Sequence, residues 1–269
     1  MSREEAGPDF VEAIARGLDV IRAFDRTRPE MSLTEVATAT GLARPTARRI
    51  LLTLEHLGYV RSADGRFTLT PRVLDLGLAF VQSLGLWEIA RPHMESLVAQ
   101  TRESTSIAQL DGSDIVYVAR VAVPKIITLR VAIGTRFPAL QTSLGKVLLA
   151  ALEPDEVEAV LAQPSRSGIE PRWTPDAVER DAVLREVRAR GWSMSDEDLA
   201  YGIRSAAAPL RDGEGRVVAA MNVTTHAAET SVETLVAEHV PRLLSAASAV
   251  SADFAQLARV PLVERVPPG

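Results

Sequence analysis

The 269-residue sequence has no cysteine and only four histidines. Without thiols there is no disulfide, no thiolate zinc site and no cysteine nucleophile, which excludes several enzyme classes. The histidines, at 56, 93, 226 and 239, form no H-x-x-x-H or H-x-H pair, so no metal site is expected. Apolar runs fall far short of the ~20 residues a membrane span needs. The start, MSREEAGPDF, mixes both charge signs and lacks an apolar core, so no secretory signal is expected and the chain reads as cytoplasmic. With 46% hydrophobic and 24% charged residues the chain is expected to fold, as one large domain or two smaller ones at roughly 100–200 residues each.

The net charge of −5 is unevenly spread. Residues 1–72 carry 11 Arg against 10 acidic residues, and the whole acidic surplus lies beyond them. Residues 41–72 alone hold six Arg against Glu55 and Asp64. An acidic protein with one compact basic stretch suits a nucleic-acid-reading module joined to an acidic partner domain.

Hydrophobic spacing supplies the organisation. Val11, Ile14, Leu18 and Ile21 recur at steps of three and four, predicting an amphipathic helix over Phe10–Phe24. Ser32-Leu33-Thr34-Glu35 has the form of a capping box opening a short helix, and Gly41 suits the left-handed residue after its end. A further helix starts at Arg44-Pro45, buries Ala47, Ile50, Leu51, Leu54 and Leu57, and stops at Gly58. Two extended runs, Tyr59–Arg61 and Phe67–Leu69, flank an Asp64-Gly65 turn. Helix, helix–turn–helix and hairpin in this order predict a winged helix-turn-helix over residues 10–71. With its apolar side inward, the 44–57 helix presents Arg44, Thr46, Arg48, Arg49 and Thr53, a set suited to guanine edges, phosphates and thymine methyls in a major groove. Arg61 and Arg66 on the wing would reach the backbone or minor groove. Ser32 and Thr34 offer a phosphate site at a helix N-terminus.

Residues 72–86 are too apolar for a free linker and read as a helix joining the two parts. Beyond them helical and extended runs alternate. Helices are expected over Trp87–Arg102, Gly145–Leu152, Pro154–Ala162, Pro175–Arg190 and Ser231–Leu257. Strands are expected over Thr105–Leu110, Ile115–Val121, Ile126–Val131, Trp192–Ser195, Ser205–Leu210 and Val217–Thr224. This is an α+β domain, residues 87–258, around an antiparallel sheet, followed by a disordered tail over 259–269. Ser143-Leu144-Gly145-Lys146 matches the S-x-x-K of serine acyltransferases but lacks companion motifs, and Thr142-Ser143 reads instead as a helix cap at a pocket wall. His226 reads as structural, and Asp196-Glu197-Asp198 as a solvated acidic turn rather than a metal cluster.

The stretches Ala15–Phe24, Leu33–Ala37 through Leu57–Val60, Tyr117–Val121, Thr142–Ala150 and Tyr201–Ser205 together resemble the IclR family of transcription regulators, over about residues 10–257. Phe67–Leu74, Ser83–Trp87 and Asn222–His226 are similar to its PcaR/PcaU/PobR branch, which controls protocatechuate and 4-hydroxybenzoate catabolism through the β-ketoadipate pathway. The resemblance implies a winged helix-turn-helix and a GAF-like effector domain, acting as a homodimer or dimer of dimers on a palindromic operator in double-stranded DNA. It further implies a small carboxylic-acid effector, an aromatic one among the candidates, against Ser143, Leu144, Asp196, Ser205, Asn222 and Thr224. A buried carboxylate needs donors or a counter-charge, and Arg120 or Arg136 could supply the charge. Ala43 stands where many relatives carry a capping Ser. No cofactor, metal or catalytic residue is expected. Three alternatives stay open: an IclR-type regulator of another carboxylic-acid pathway, an acyl-transfer enzyme using Ser143 and Lys146, and a small-molecule sensor with a degenerate DNA domain.

Overall fold

A computed structural model describes residues 9–25, 27–76, 85–124 and 131–257. The chain divides into two compact units, Met1–Ser83 and Leu84–Gly269.

In the first unit helices α1 (Glu12–Arg22), α2 (Leu33–Thr40) and α3 (Arg44–His56) accompany strands β1 (Glu30–Ser32), β2 (Val60–Ala63) and β3 (Arg66–Leu69). The capping box forms as expected: Ser32 Oγ accepts the Glu35 amide at 3.3 Å, and Glu35 Oε2 accepts the Ser32 amide at 2.7 Å. Gly41 ends α2 in the left-handed region, φ 66°. Ala43 offers no cap to α3, whose first turn holds Pro45. Asp64 and Gly65 both have positive φ, which closes the β2–β3 hairpin with the right twist. Strand β1 was not expected. It pairs with β3, so the sheet order is β1-β3-β2, and it buries Met31 in the core.

The core of this unit is Val20, Phe24, Met31, Val36, Ala47, Leu51, Leu54 and Val60. It corrects two expectations. On α1 the inward residues are Val20 and the half-buried Ile21, whereas Val11, Ile14 and Leu18 are exposed. Leu57 follows the last turn of α3 and is also exposed, and Ile50 is only half-buried. Residues 73–76 are helical. The rest of the expected joining helix, residues 77–84, lies outside the described residues, as does the tail 259–269.

The second unit is a six-stranded antiparallel sheet between two helical layers. Its strands are β4 (Ser104–Asp111), β5 (Asp114–Val121), β6 (Arg136–Pro138), β7 (Ser193–Asp196), β8 (Ile203–Arg211) and β9 (Val217–His226), in the order β6-β5-β4-β9-β8-β7. One face packs α4 (Leu86–Thr101) and the closing helix Val240–Leu257, through Met94, Leu97, Leu243 and Val250. The other packs α5 (Ser143–Ala150) and α7 (Ala177–Arg190), through Leu144, Val147, Leu184 and Val187. Helix α6 (Pro154–Leu161) lies between these two in sequence. Ala206 and Ala208 point to the first face and Ala207 to the second, and such small side chains let helices approach both sides of β8 closely. A short α-turn, Val232–Thr234, and then a π-turn, Leu235–His239, lead into the closing helix just before Pro241. A proline nitrogen donates no hydrogen bond, and the ladder widens there.

The strand expected over Ile126–Val131 falls mostly outside the described residues. The edge partner of β5 is β6, paired at Asp114↔Pro138, Ile115↔Phe137 and Val116↔Arg136. Among the described residues no helix is long and apolar enough to cross a membrane.

Candidate functional site

The exposed face of α3 carries Arg44, Arg48, Arg49 and Thr53 opposite the buried Ala47, Leu51 and Leu54. Thr46 is half-buried. None of the three guanidinium groups has an acidic partner among the described residues. A stable surface Arg has little need of one, but three together on one helix face make a dense positive stripe. Thr53 turns its hydroxyl back onto the Arg49 carbonyl at 2.9 Å.

The flanking residues are more constrained than the sequence suggests. Arg61 Nε donates to Thr68 Oγ1 across the hairpin at 3.0 Å and stays exposed. Arg66 is exposed on the wing and pairs with Glu30 at 2.8 Å and Glu35 at 3.5 Å. The Ser32 hydroxyl is occupied by its own helix cap, whereas Thr34 is exposed.

In the second unit, β8, β9 and the N-terminus of α5 enclose a small, partly open cavity of about 50 Å³. Thr142 Oγ1 caps α5 by accepting the Gly145 amide at 3.0 Å. Gly145 is required by contact: a Cβ there would sit 2.0 Å from the Ala139 carbonyl oxygen. Asn222 is held in one orientation. Its Oδ1 accepts the Ser106 amide at 3.0 Å and its Nδ2 donates to Thr224 Oγ1 at 2.9 Å. The second Nδ2 hydrogen and the Thr224 hydroxyl hydrogen stay available to the cavity both residues line.

Arg120 donates to Ser106 Oγ at 3.0 Å and has no carboxylate partner among the described residues. Burial pulls its guanidinium below the usual value, opposed by the neighbouring Tyr117. Burial in turn pushes the Tyr117 phenol well above its usual range, so it is a neutral donor facing the cavity. His226 Nδ1 accepts the Ala228 amide at 3.2 Å, which leaves the proton of the neutral ring on Nε2. Leu144, Leu199 and Ile203 form apolar walls, and the buried Glu103 also lines the space.

Three expected pocket residues stand elsewhere. Ser143 is fully buried behind the wall, its hydroxyl 2.7 Å from that of Ser205, which does line the cavity. Asp196 is drawn out of the site by Arg204 at 2.7 Å, and the lining residue is its neighbour Ser195, on the opposite face of β7. Arg136 sits at the sheet edge, where Asp111 at 2.7 Å and the buried Asp114 at 3.3 Å hold it. The acidic turn is not merely solvated. Asp196 pairs with Arg204, Glu197 accepts the Gly202 amide at 2.5 Å, and Asp198 meets Lys146 at 2.6 Å. Lys146 thus points to Asp198, the Met194 carbonyl at 3.1 Å and the Trp173 ring, not to Ser143. Among the described residues no three His, Asp or Glu could hold a metal ion. Tyr117 on β5 and Gln141 in the turn before α5 reach this space only through tertiary folding, as does Glu103 just before β4; His226, read from the sequence as structural, closes β9 at the same cavity.

Comparison with known proteins agrees with this architecture. Residues 13–64 match the IclR helix-turn-helix domain, and residues 78–252 match the bacterial transcriptional regulator IclR C-terminal domain. The chain is 36% identical to the Pca regulon regulatory protein of Pseudomonas putida over 240 residues, 89% of this chain and 82% of that one. It is 32% identical to the p-hydroxybenzoate hydroxylase transcriptional activator of Acinetobacter baylyi over 257 residues, 92% of this chain and 93% of that one. An IclR homolog from Microbacterium hydrocarbonoxydans, solved with 4-hydroxybenzoate, superposes with a TM-score of 0.79 at 25% identity, over 91% of this chain and 99% of that one. The chain belongs to the IclR family of bacterial transcriptional regulators.

Proposed function

We propose that this regulator controls an aromatic-acid catabolic operon of the protocatechuate and 4-hydroxybenzoate type, from the cytoplasm. In this reading residues 10–71 read a palindromic operator as part of a homodimer or dimer of dimers, residues 72–86 join the units, and residues 87–258 sense the acid. The observation that carries it is the cavity on β8 and β9. Apolar walls suit a ring, and Asn222, Thr224, His226 and Arg120, which has no carboxylate partner among the described residues, supply donors for one carboxylate. At about 50 Å³ the cavity is smaller than the ~150 Å³ that benzene occupies in a protein interior. In this proposal the acid widens the cavity on binding, and that change is what biases the winged units. Effector binding favours one orientation of the winged units, and with it one fit to half-sites about a helical turn or a multiple apart.

Two measurements test the proposal. Saturating 4-hydroxybenzoate or protocatechuate should raise the melting temperature, by about 2.7 kcal/mol of stability at a hundredfold excess over Kd. Arg120→Met should abolish the rise. Arg48→Ala and Arg49→Ala should each weaken operator binding and lower its salt slope by about 1. An unchanged slope in both variants would remove α3 as the reader. An acyl-transfer role is disfavoured because Ser143 and Lys146 are each engaged by other partners.

A further inference from the structure

A larger cleft, of about 410 Å³, opens elsewhere on the second unit and shares Gln141 with the effector cavity. Leu140, Leu161 and Ile169 supply its apolar walls. Ser113, in the turn between β4 and β5, lines it as well. That side chain is nine-tenths buried, and its Oγ has no hydrogen-bond partner. Buried hydroxyls are almost always paired, because an unpaired one loses its water without replacement. The wall beside it is fastened: the buried Asp114 carboxylate accepts Ser165 Oγ at 2.7 Å and the Arg166 amide at 2.7 Å.

The charges at the rim are already matched. Arg180 Nε donates to Asp181 at 2.7 Å, and its guanidinium lies 3.8 Å from Glu158. Asp176 accepts the Glu179 amide at 2.9 Å as the cap of α7. An ionic ligand would enter without a counter-charge, which is costly away from water. A ring with one polar atom has no such penalty, and this volume exceeds the ~150 Å³ that holds benzene.

We propose that this cleft binds a small uncharged molecule, an apolar ring bearing a single hydroxyl, with its oxygen on Ser113 Oγ. The site is separate from the acid-sensing cavity and does not depend on it. The test is ligand-detected NMR titration of the full chain with benzyl alcohol, and with toluene as the hydroxyl-free probe. Wild type should bind both saturably. Ser113→Ala should weaken benzyl alcohol roughly threefold to tenfold, the worth of one hydrogen bond, and leave toluene unchanged. Asn222→Ala should alter neither. Leu161→Trp should block both, and if that variant does not fold, shifts of the Leu140, Leu161 and Ile169 methyls in wild type carry the same information. The proposal is overturned if wild type binds neither probe, if Ser113→Ala weakens both equally, or if Asn222→Ala rather than Ser113→Ala weakens benzyl alcohol.

Discussion

At the scale of single residues, Gly145 and Lys146 do work that neighbouring positions cannot. A Cβ at 145 would press into the Ala139 carbonyl at 2.0 Å and carbon at 2.4 Å, which are backbone atoms of the turn that feeds α5. Gly145→Ala should therefore cost about 2 kcal/mol or more, through overpacking rather than lost freedom, as read by urea unfolding. Lys146 is nearly buried against Asp198. Removing one partner strands the other charge, so Asp198→Ala should destabilise by about 3 kcal/mol. Lys146→Met combined with Asp198→Leu should recover much of the loss, because the pair is then replaced by apolar contact. The Thr142 cap was legible from its place before an apolar run. The need for glycine at 145 was not, since Ala139 approaches it only after the chain has turned.

At the scale of elements, local chemistry predicts helices better than it predicts short strands. The box at Ser32 and Glu35 is a spacing, and spacing survives in a sequence. Ser32→Ala should lower the stability of the first unit by about 1 kcal/mol, measurable as a shift in its thermal midpoint. Strand β1 has three residues and one buried side chain, Met31, too few to show an alternating pattern. On α1, periodicity marks Val11, Ile14 and Leu18 as one face, whereas in the described structure the core takes Val20, well over one residue's rotation away, with Ile21 between the two. Charge pairing decides where three expected site residues stand. Arg66, Arg136 and Asp196 carry the right chemistry for a ligand, yet each has a nearer opposite charge on an adjoining strand or turn.

At the scale of the whole molecule, stability is tied to acidity through carboxylates in both units. Hydrogen bonds from Thr27 and Arg28 hold Asp25 far below its ordinary value, those from Ser32 lower Glu35, and that from Arg180 lowers Asp181. A carboxylate depressed in the folded state contributes stability above its unfolded value, and that contribution fades as pH falls through the folded one. Both units should thus keep full stability near pH 7 and lose it progressively below the unperturbed values of 3.8 for Asp and 4.5 for Glu. Urea midpoints taken from pH 7 to pH 3 would register the decline, and a flat profile would contradict it. Gln141 extends the same reasoning to ligands. It lines both the effector cavity and the larger cleft, donates its side-chain amide to the Trp173 carbonyl at 2.9 Å and accepts Ser195 Oγ on its backbone carbonyl at 3.0 Å. A change in its side chain would therefore be felt at both ends, by the loop that carries Trp173 and by β7.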